Sequence, residues 1–180
     1  MSFPQVTTEA PLLITLQFDS DSFKRLNELR ELYFPSERNF IPAHLTLFHA
    51  LPGEHEGLIR ENLTELCAQT GTLDLQFTDL RSLGRGVAIN VECHELKRLR
   101  AELARTFRPF LSPQDAQHWK HPHVTIQNKV TPETARATLS QLNKEWREWN
   151  GQGDGLFLWY YRGGPWEKAG DYLFTLENDN

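Results

Sequence analysis

The sequence has little of what secreted and membrane proteins need. Its 180 residues include only two cysteines, Cys67 and Cys93, which are too few for a disulfide framework. Its apolar runs are far shorter than the roughly 20 residues that cross a bilayer. The N-terminal stretch has no basic segment of the kind that opens a signal peptide. We therefore expect a cytoplasmic protein of a reducing compartment with no membrane contact.

Positive charge is also scarce. The net charge is -5, and the 19 Lys and Arg residues are scattered rather than gathered into a stripe, which argues against long duplex nucleic acid as a partner. A small anionic ligand or one nucleic-acid end fits better. The apolar content of 39% is that of a packed protein. A chain of this length holds one substantial core, so we expect a single bilobal domain over residues 1–180, acting as a monomer.

Local patterns alternate between strands and helices. Thr131 and Pro132 predict a clear helix start, and Gly84 and Gly86 predict a hairpin turn. The glycine-rich stretch 150–155 is interpreted as a connector or a mobile loop. The predicted strands are 11–19, 43–51, two within 73–93, 121–130, 155–164 and 171–178, and the predicted helices are 20–35, 53–71, 94–111 and 131–149.

The order of elements repeats within the chain. Each half reads strand, helix, strand, helix, strand, with pseudo-repeats at about 11–85 and 86–178. Equivalent histidines, His44 and His123, are 79 residues apart, and Arg81 and Arg162 end comparable strands 81 residues apart. We interpret this as a cryptic duplication.

A His-x-Thr sequence lies on a predicted strand in each half. The first motif is HLTL at 44–47 and the second is HVTI at 123–126. Successive strand residues face opposite sides, so in each motif the His and Thr share one face while the two aliphatic residues anchor the other in a core. A single such histidine is more often structural, but two in the same local pattern indicate a function.

If the duplication places the two halves about a pseudo-twofold axis, the polar faces of the two motifs meet across a groove. Two imidazoles and two hydroxyls then surround one point, an arrangement that suits phosphoryl chemistry. A neutral imidazole accepts a proton while its protonated twin donates one. The threonine hydroxyls can bind phosphate oxygens and stabilise the charge that develops in the transition state. Such a site requires no metal and no cofactor.

The paired motifs resemble those of the 2H phosphoesterase superfamily, and the context of the first motif is similar to bacterial 2'-5' RNA ligase and cyclic phosphodiesterase members. The resemblance implies an α+β fold with two antiparallel sheets lining a central cleft, helices outside and a pseudo-twofold axis. It implies His44 and His123 as the acid/base pair and Thr46 and Thr125 as phosphate ligands. The substrate would be a small nucleotide or RNA terminus with a 2',3'-cyclic phosphate or a 2'-5' linkage, hydrolysed or reversibly ligated.

The chain departs from this pattern after the second motif. Many relatives carry an Arg there, whereas this sequence has Gln127, Asn128 and Lys129. By alternation Lys129 continues the face of His123 and is predicted to supply the cation. Phe48 similarly continues the face of His44, and it is interpreted either as a base-stacking residue or as a core aromatic.

Two alternative functions and one question about the aromatic residues remain open. The fold can serve as a non-catalytic RNA-end or nucleotide-binding module. The histidines at 118, 121 and 123 can instead bind zinc in a metal-dependent hydrolase, although no H-E-x-x-H or C-x-x-C accompanies them. Trp159, Tyr160 and Trp166 form either a base-binding wall or ordinary packing. By alternation His49 lies opposite His44 and is interpreted as structural.

Overall fold

The computed structural model describes residues 9–178. This part of the chain contains seven strands and four α-helices, joined by short 3-10 turns. Their bounds in chain order are β1 Leu12–Phe18, α1 Ser20–Tyr33, β2 Thr46–Leu51, α2 Glu56–Ala68, β3 Leu73–Ser82, β4 Val87–Glu92, α3 His94–Phe107, β5 His123–Gln127, α4 Pro132–Asn143, β6 Trp149–Tyr160 and β7 Glu167–Leu173. None of these helices has the length and apolarity that a membrane crossing needs.

Two helices begin at side-chain caps that the sequence indicates. The Asp19 carboxylate accepts a hydrogen bond from the Ser22 backbone N–H at the start of α1. The Thr131 hydroxyl accepts one from the Thr134 N–H at the start of α4, with Pro132 as its first residue. Each cap satisfies a backbone donor that has no partner within the helix and contributes about 1 kcal/mol.

The chain between α4 and β6 differs from the prediction. Helix α4 ends at Asn143 rather than at residue 149, and the stretch 150–155 lies within β6 rather than in a connector. The glycines of this stretch allow neighbouring chain segments to pack closely against β6. A Cβ at Gly151 would collide with the Ser22 hydroxyl, and one at Gly155 would collide with the Tyr172 carbonyl oxygen. Glycine in a strand often marks such close approach.

All strand pairs are antiparallel and belong to one seven-stranded sheet. The order is β2-β1-β6-β3-β4-β5, with β7 paired to β6. The 12-residue strand β6 joins the two halves, because residues 149–153 pair with β3 and residues 153–160 pair with β1. The structure therefore has one continuous sheet where the resemblance implies two. The α+β class is confirmed.

The strand order is symmetric about its centre. The first three positions are β2, β1 and β6, and from the other end the equivalent strands β5, β4 and β3 follow in the same order. In each half the motif strand is the edge strand, and it pairs with the first strand of its own half. The third strand of each half pairs with the first strand of the other half, and the two third strands, β3 and β6, pair with each other at the centre. This pattern is what a duplication would produce, and the duplication itself stays an inference from pattern.

The core is one cluster of buried side chains that spans both halves of the sheet. Fully buried members include Leu12 and Ile14 of β1, Val87 and Ile89 of β4, and Leu63 of α2. Burying a side chain of this size contributes about 1.5–3 kcal/mol. The core therefore fixes one face of the sheet against the helices. The opposite face carries the His and Thr residues of both motifs, and we call it the cleft face.

Candidate functional site

The two motif histidines are held in the same way. The Nδ1 atom of His44 lies 2.9 Å from the Pro42 carbonyl oxygen, and Nδ1 of His123 lies 2.9 Å from the His121 carbonyl oxygen. A carbonyl oxygen only accepts, so each Nδ1 carries the proton and donates it. Each Nε2 is therefore the free nitrogen, which accepts a proton when the ring is neutral and donates one when it is charged.

Strand pairing places the polar residues of both motifs on the cleft face. Thr46 is opposite Thr15 on β1, while Thr125 is opposite Ala88 and His123 is opposite Asn90 on β4. The aliphatic residues of the motifs are buried to 0% exposure, whereas the His and Thr residues are half-buried. The alternation expected from the sequence is present at these eight positions.

Two buried arginines tie each motif strand to a helix of the other half. Nη1 of Arg30 on α1 donates to the Thr125 carbonyl oxygen at 3.0 Å, and Nε of Arg100 on α3 donates to the Leu47 carbonyl oxygen at 3.1 Å. The two arginines are only 5% and 6% exposed. Because β2 and β5 are the ends of the sheet, these bonds satisfy edge carbonyls and link the two motif strands across the molecule.

Both motif imidazoles are neutral at pH 7. Burial lowers the pKa of His44 to about 4, and the charges of Arg30, His49 and His123 lower it further against the opposing bond to Pro42. Burial, followed by the charge of Arg81, also lowers the pKa of His123, although its bond to His121 opposes this. Desolvation disfavours the charged ring in each case.

A β-bulge follows the threonine in both motifs. On β2, Thr46 pairs with Thr15 but Phe48 pairs with Ile14, which leaves Leu47 as an extra residue. On β5, Ala88 pairs with Thr125 but Val87 pairs with Gln127, which leaves Ile126 as the extra residue. A bulge reverses the alternation of the residues that follow it.

The first bulge overturns the base-stacking interpretation of Phe48. Its ring is 0% exposed, lies 5.6 Å from the Phe107 ring and sits beneath the Arg100 guanidinium at 4.3 Å. Simple alternation puts Phe48 on the cleft face, but the extra residue turns it into the core. The alternative interpretation, a core aromatic, is the right one.

The second bulge changes the surroundings of Lys129. Gln127 is buried and donates to the Thr138 hydroxyl on α4 at 2.8 Å, so it does not continue the face of His123. Lys129 lies beyond the end of β5, exposed, with φ of 62°. Strand alternation therefore no longer places its ammonium on the cleft face, and its role as the phosphate cation stays a prediction without this support.

Arg81 is a site residue that sequence reasoning missed. On β3 it is opposite Ala88, which is opposite Thr125, so the three residues form one row across the cleft face. Its Nη2 donates to the His121 carbonyl oxygen at 3.4 Å, and its buried Nε has no partner in the described part of the chain. No local pattern in the sequence signals this position, because the row depends on two cross-strand pairings.

An aromatic cluster of Phe157, Trp159 and Trp166 lies beside His44. The Trp166 ring is 4.8 Å from the His44 ring and 6.2 Å from Trp159, which is 5.5 Å from Phe157. Trp159 Nε1 donates to the buried Thr15 hydroxyl at 2.8 Å, which fixes the indole on the cleft face. All three rings are half-buried, so each presents part of its surface to the cleft.

Within residues 9–178, no group of three or more His, Cys, Asp or Glu side chains is close enough to hold a metal ion. A separate depression of about 1330 Å³ lies between α2, α3 and the segment around Trp119. His118 lines it, but neither motif histidine does. The paired imidazoles therefore lie elsewhere on the surface, on the cleft face.

A family model described as the 2'-5' RNA ligase superfamily matches residues 18–165. The solved structure of TT0787 from Thermus thermophilus has a TM-score of 0.64 at 16% identity, covering 93% of this chain and 100% of that one. E. coli LigT complexed with NADP+ has a TM-score of 0.56 at 15% identity, covering 93% and 99%. LigT complexed with 3'-AMP has a TM-score of 0.50 at 17% identity, with the same coverage. No curated protein matches.

Proposed function

The chain belongs to the 2'-5' RNA ligase superfamily, and from that premise we propose that it is a metal-independent 2H phosphoesterase. It hydrolyses, or reversibly ligates, 2',3'-cyclic phosphate or 2'-5' phosphodiester bonds of nucleotides or RNA ends. One observation carries the proposal. Both motif histidines donate from Nδ1 to the carbonyl two residues earlier, which leaves two matched Nε2 atoms free for proton transfer.

In hydrolysis of a 2',3'-cyclic phosphate, we assign His123 as the base and His44 as the acid. His123 Nε2 takes a proton from water as the water oxygen bonds to phosphorus. The bond between phosphorus and one ribose oxygen breaks, and His44 Nε2 gives its proton to that oxygen. Ligation exchanges the two roles, because the reverse reaction passes through the same transition state.

The acid takes up its proton from solvent when the substrate binds. Both imidazoles are neutral in the free protein at pH 7, because burial lowers the pKa of each. An anionic phosphate between them favours the protonated form of a nearby imidazole and raises its pKa. Proton uptake by His44 on substrate binding then gives one charged and one neutral ring.

Three further groups are assigned to the phosphate. Thr46 and Thr125 donate from their hydroxyls to non-bridging oxygens, and the Arg81 guanidinium lies in the same cross-strand row as Thr125. Donors held in place before the reaction stabilise the charge that builds on these oxygens without reorganising. The unpartnered Nε of Arg81 supports this assignment, because a buried donor without a partner is costly unless a ligand satisfies it.

The aromatic cluster supports a substrate that carries a base. Trp166 lies against His44, with Trp159 and Phe157 behind it. Aromatic side chains stack on nucleobases of any sequence. LigT, a structural neighbour, has been solved with NADP+ and with 3'-AMP. We therefore place the nucleoside on the His44 side of the phosphate.

The test is turnover of 2',3'-cyclic mononucleotides in excess EDTA. We expect turnover that survives chelation and falls by about 10²–10⁴-fold in each of His44→Ala and His123→Ala. His118→Ala, an exposed histidine outside the motifs, is the matched control and should keep full activity. Turnover lost in EDTA would point to a metal-dependent hydrolase, and tight binding with no product would point to a binding module.

A further inference from the structure

His49 lies on the cleft face, contrary to simple alternation from His44. The bulge at Leu47 adds one residue to β2, so Phe48 turns into the core opposite Ile14. A second irregularity before the Leu12–Leu51 pair leaves His49 and Ala50 both turned out between the buried Phe48 and Leu51. The side chain of His49 is 43% exposed. It therefore shares a face with His44 and Thr46, and the bulge is what places it there.

A buried carboxylate fixes the His49 ring. Asp115 Oδ1 lies 3.1 Å from His49 Nδ1, and the side chain of Asp115 is 0% exposed. The same carboxylate accepts from the backbone N–H of His49 at 2.9 Å and of Ala50 at 3.0 Å. Arg100 Nη2 donates to the Asp115 carbonyl oxygen at 2.7 Å, which holds this segment in place.

The carboxylate of Asp115 is ionised. Burial alone would raise its pKa, but the hydrogen bonds from the His49 ring and from the two backbone N–H groups outweigh burial and lower it. An ionised carboxylate only accepts, so His49 Nδ1 carries a proton. The free nitrogen of His49 is therefore Nε2, as in His44 and His123.

His49 lies on the motif strand β2, three residues beyond Thr46. Its charge acts on His44 and on His123, lowering the pKa of each. It is also a cleft-face candidate for a hydrogen-bond donor on the His44 side. Arg81 flanks His123, whereas Arg162 lies beyond the end of β6 and forms an ion pair with Glu167 at 2.9 Å.

We propose that His49, held by Asp115, is a third imidazole of the site and donates from Nε2 to a non-bridging oxygen of the substrate's phosphate. The proposal rests on the proposed function for the identity of the ligand. In this arrangement the His49 ring donates from Nδ1 to the Asp115 carboxylate and from Nε2 to the phosphate, which is the two-donor form of a histidine. The phosphate then receives a donor from each side, Arg81 beside His123 and His49 beside His44.

The test compares two ligands that differ by the phosphate. The affinities of 3'-AMP and adenosine are measured by calorimetry or NMR titration for the unsubstituted protein, His49→Gln and His49→Arg. We expect His49→Gln to weaken 3'-AMP binding by about tenfold or more, the loss of a hydrogen bond to a charged group. Adenosine binding should not change, and His49→Arg should restore 3'-AMP binding. His55→Gln, at a half-buried histidine that stacks on Phe110, is the matched control.

Equal 3'-AMP affinity in His49→Gln would overturn the inference. So would an equal loss for 3'-AMP and adenosine, because that result means that His49 only supports the fold. Turnover of cyclic nucleotides separates the two proposals. If His44→Ala abolishes turnover while His49→Gln binds 3'-AMP normally, only the third imidazole is wrong. If no turnover occurs but 3'-AMP binding still depends on His49, only the phosphoesterase assignment is wrong.

Discussion

The first and second motifs share their framework and differ in their surroundings. Both have a histidine anchored through Nδ1, a threonine on the same face, a bulge after it and a buried arginine from the other half. Around His44 lie the rings of the aromatic cluster. Around His123 lie Arg81 and Asn90, which bonds to Asp79 at 3.0 Å.

The shared framework suits catalysis, and the unlike surroundings suit substrate recognition. The proposed proton transfer uses two imidazoles, and the shared framework provides two that are held alike. Substrate recognition needs unlike groups on the two sides, because a nucleotide has an apolar base at one end and charged oxygens at the other. Under the proposed function, the unlike surroundings would set the direction in which a nucleotide binds between the two imidazoles.

The largest expected effect beyond the histidines concerns the two threonines. Thr46→Val and Thr125→Val each remove one hydroxyl and keep the β-branched shape that suits a strand. Because each hydroxyl is assigned to stabilise charge in the transition state, we expect kcat to fall by about 10²–10³-fold in each variant. The melting temperature should change little. A large loss in only one variant would show that the two motifs are not equivalent.

The sequence pairs Arg81 with Arg162, but Arg162 lies beyond the end of β6, so Arg81→Gln and Arg162→Gln compare an arginine of the cleft face with one outside the sheet. We expect kcat/KM for cyclic nucleotides to fall about tenfold or more in Arg81→Gln, which loses a charged hydrogen bond to the phosphate. Arg162 and Glu167 are 56% and 60% exposed, and such a pair contributes about 0–1 kcal/mol to stability. Similar kinetics for the two variants would contradict the asymmetry.

Trp166 tests the base-binding side. Trp166→Ala should raise KM for cyclic mononucleotides, since stacking contributes about 1–3 kcal/mol per base. A ribose 2',3'-cyclic phosphate without a base should show no such change. Tyr161→Ala, at an exposed aromatic nearby in sequence, is the control. Equal losses for substrates with and without a base would mean that Trp166 supports His44 rather than the base.

Phe48 gives the smallest expected effect on activity. Because its ring is fully buried against Phe107, Phe48→Leu should leave KM unchanged and lower the free energy of unfolding. Truncation to Ala at the same site should cost about 3–5 kcal/mol. Denaturant unfolding and steady-state kinetics measure the two quantities. A rise in KM in a stable Phe48→Leu protein would mean that Phe48 contacts the substrate.

Local patterns in the sequence predict the framework of this site well. Alternation within four residues identifies the His and Thr face of both motifs, and the cap at Thr131 and the turn at Gly84 follow from side-chain chemistry. The bulges at Leu47 and Ile126 do not follow, because they arise from pairing with β1 and β4. Each bulge reverses what alternation predicts beyond it, so Phe48 and His49 exchange their expected faces.

Long-range contacts account for the other differences. Arg81 joins the site through two cross-strand pairings, which no local pattern contains. The stretch 150–155 has the composition of a loop, but its glycines let β6 pass close to Ser22 and Tyr172. Trp166 reaches His44 through the β6–β7 turn. In each case tertiary packing decides the outcome, and it overrides local preference.

The most direct test of the central claim is nitrogen-15 NMR of the two motif imidazoles during a titration with 3'-AMP. At pH 7 the free protein should show both rings neutral with the proton on Nδ1. On addition of 3'-AMP, the Nε2 signals of His44 and His123 should both move, with one common dissociation constant. A response from only one ring, or a proton on Nε2 of either neutral ring, would contradict a single phosphate site between two matched imidazoles.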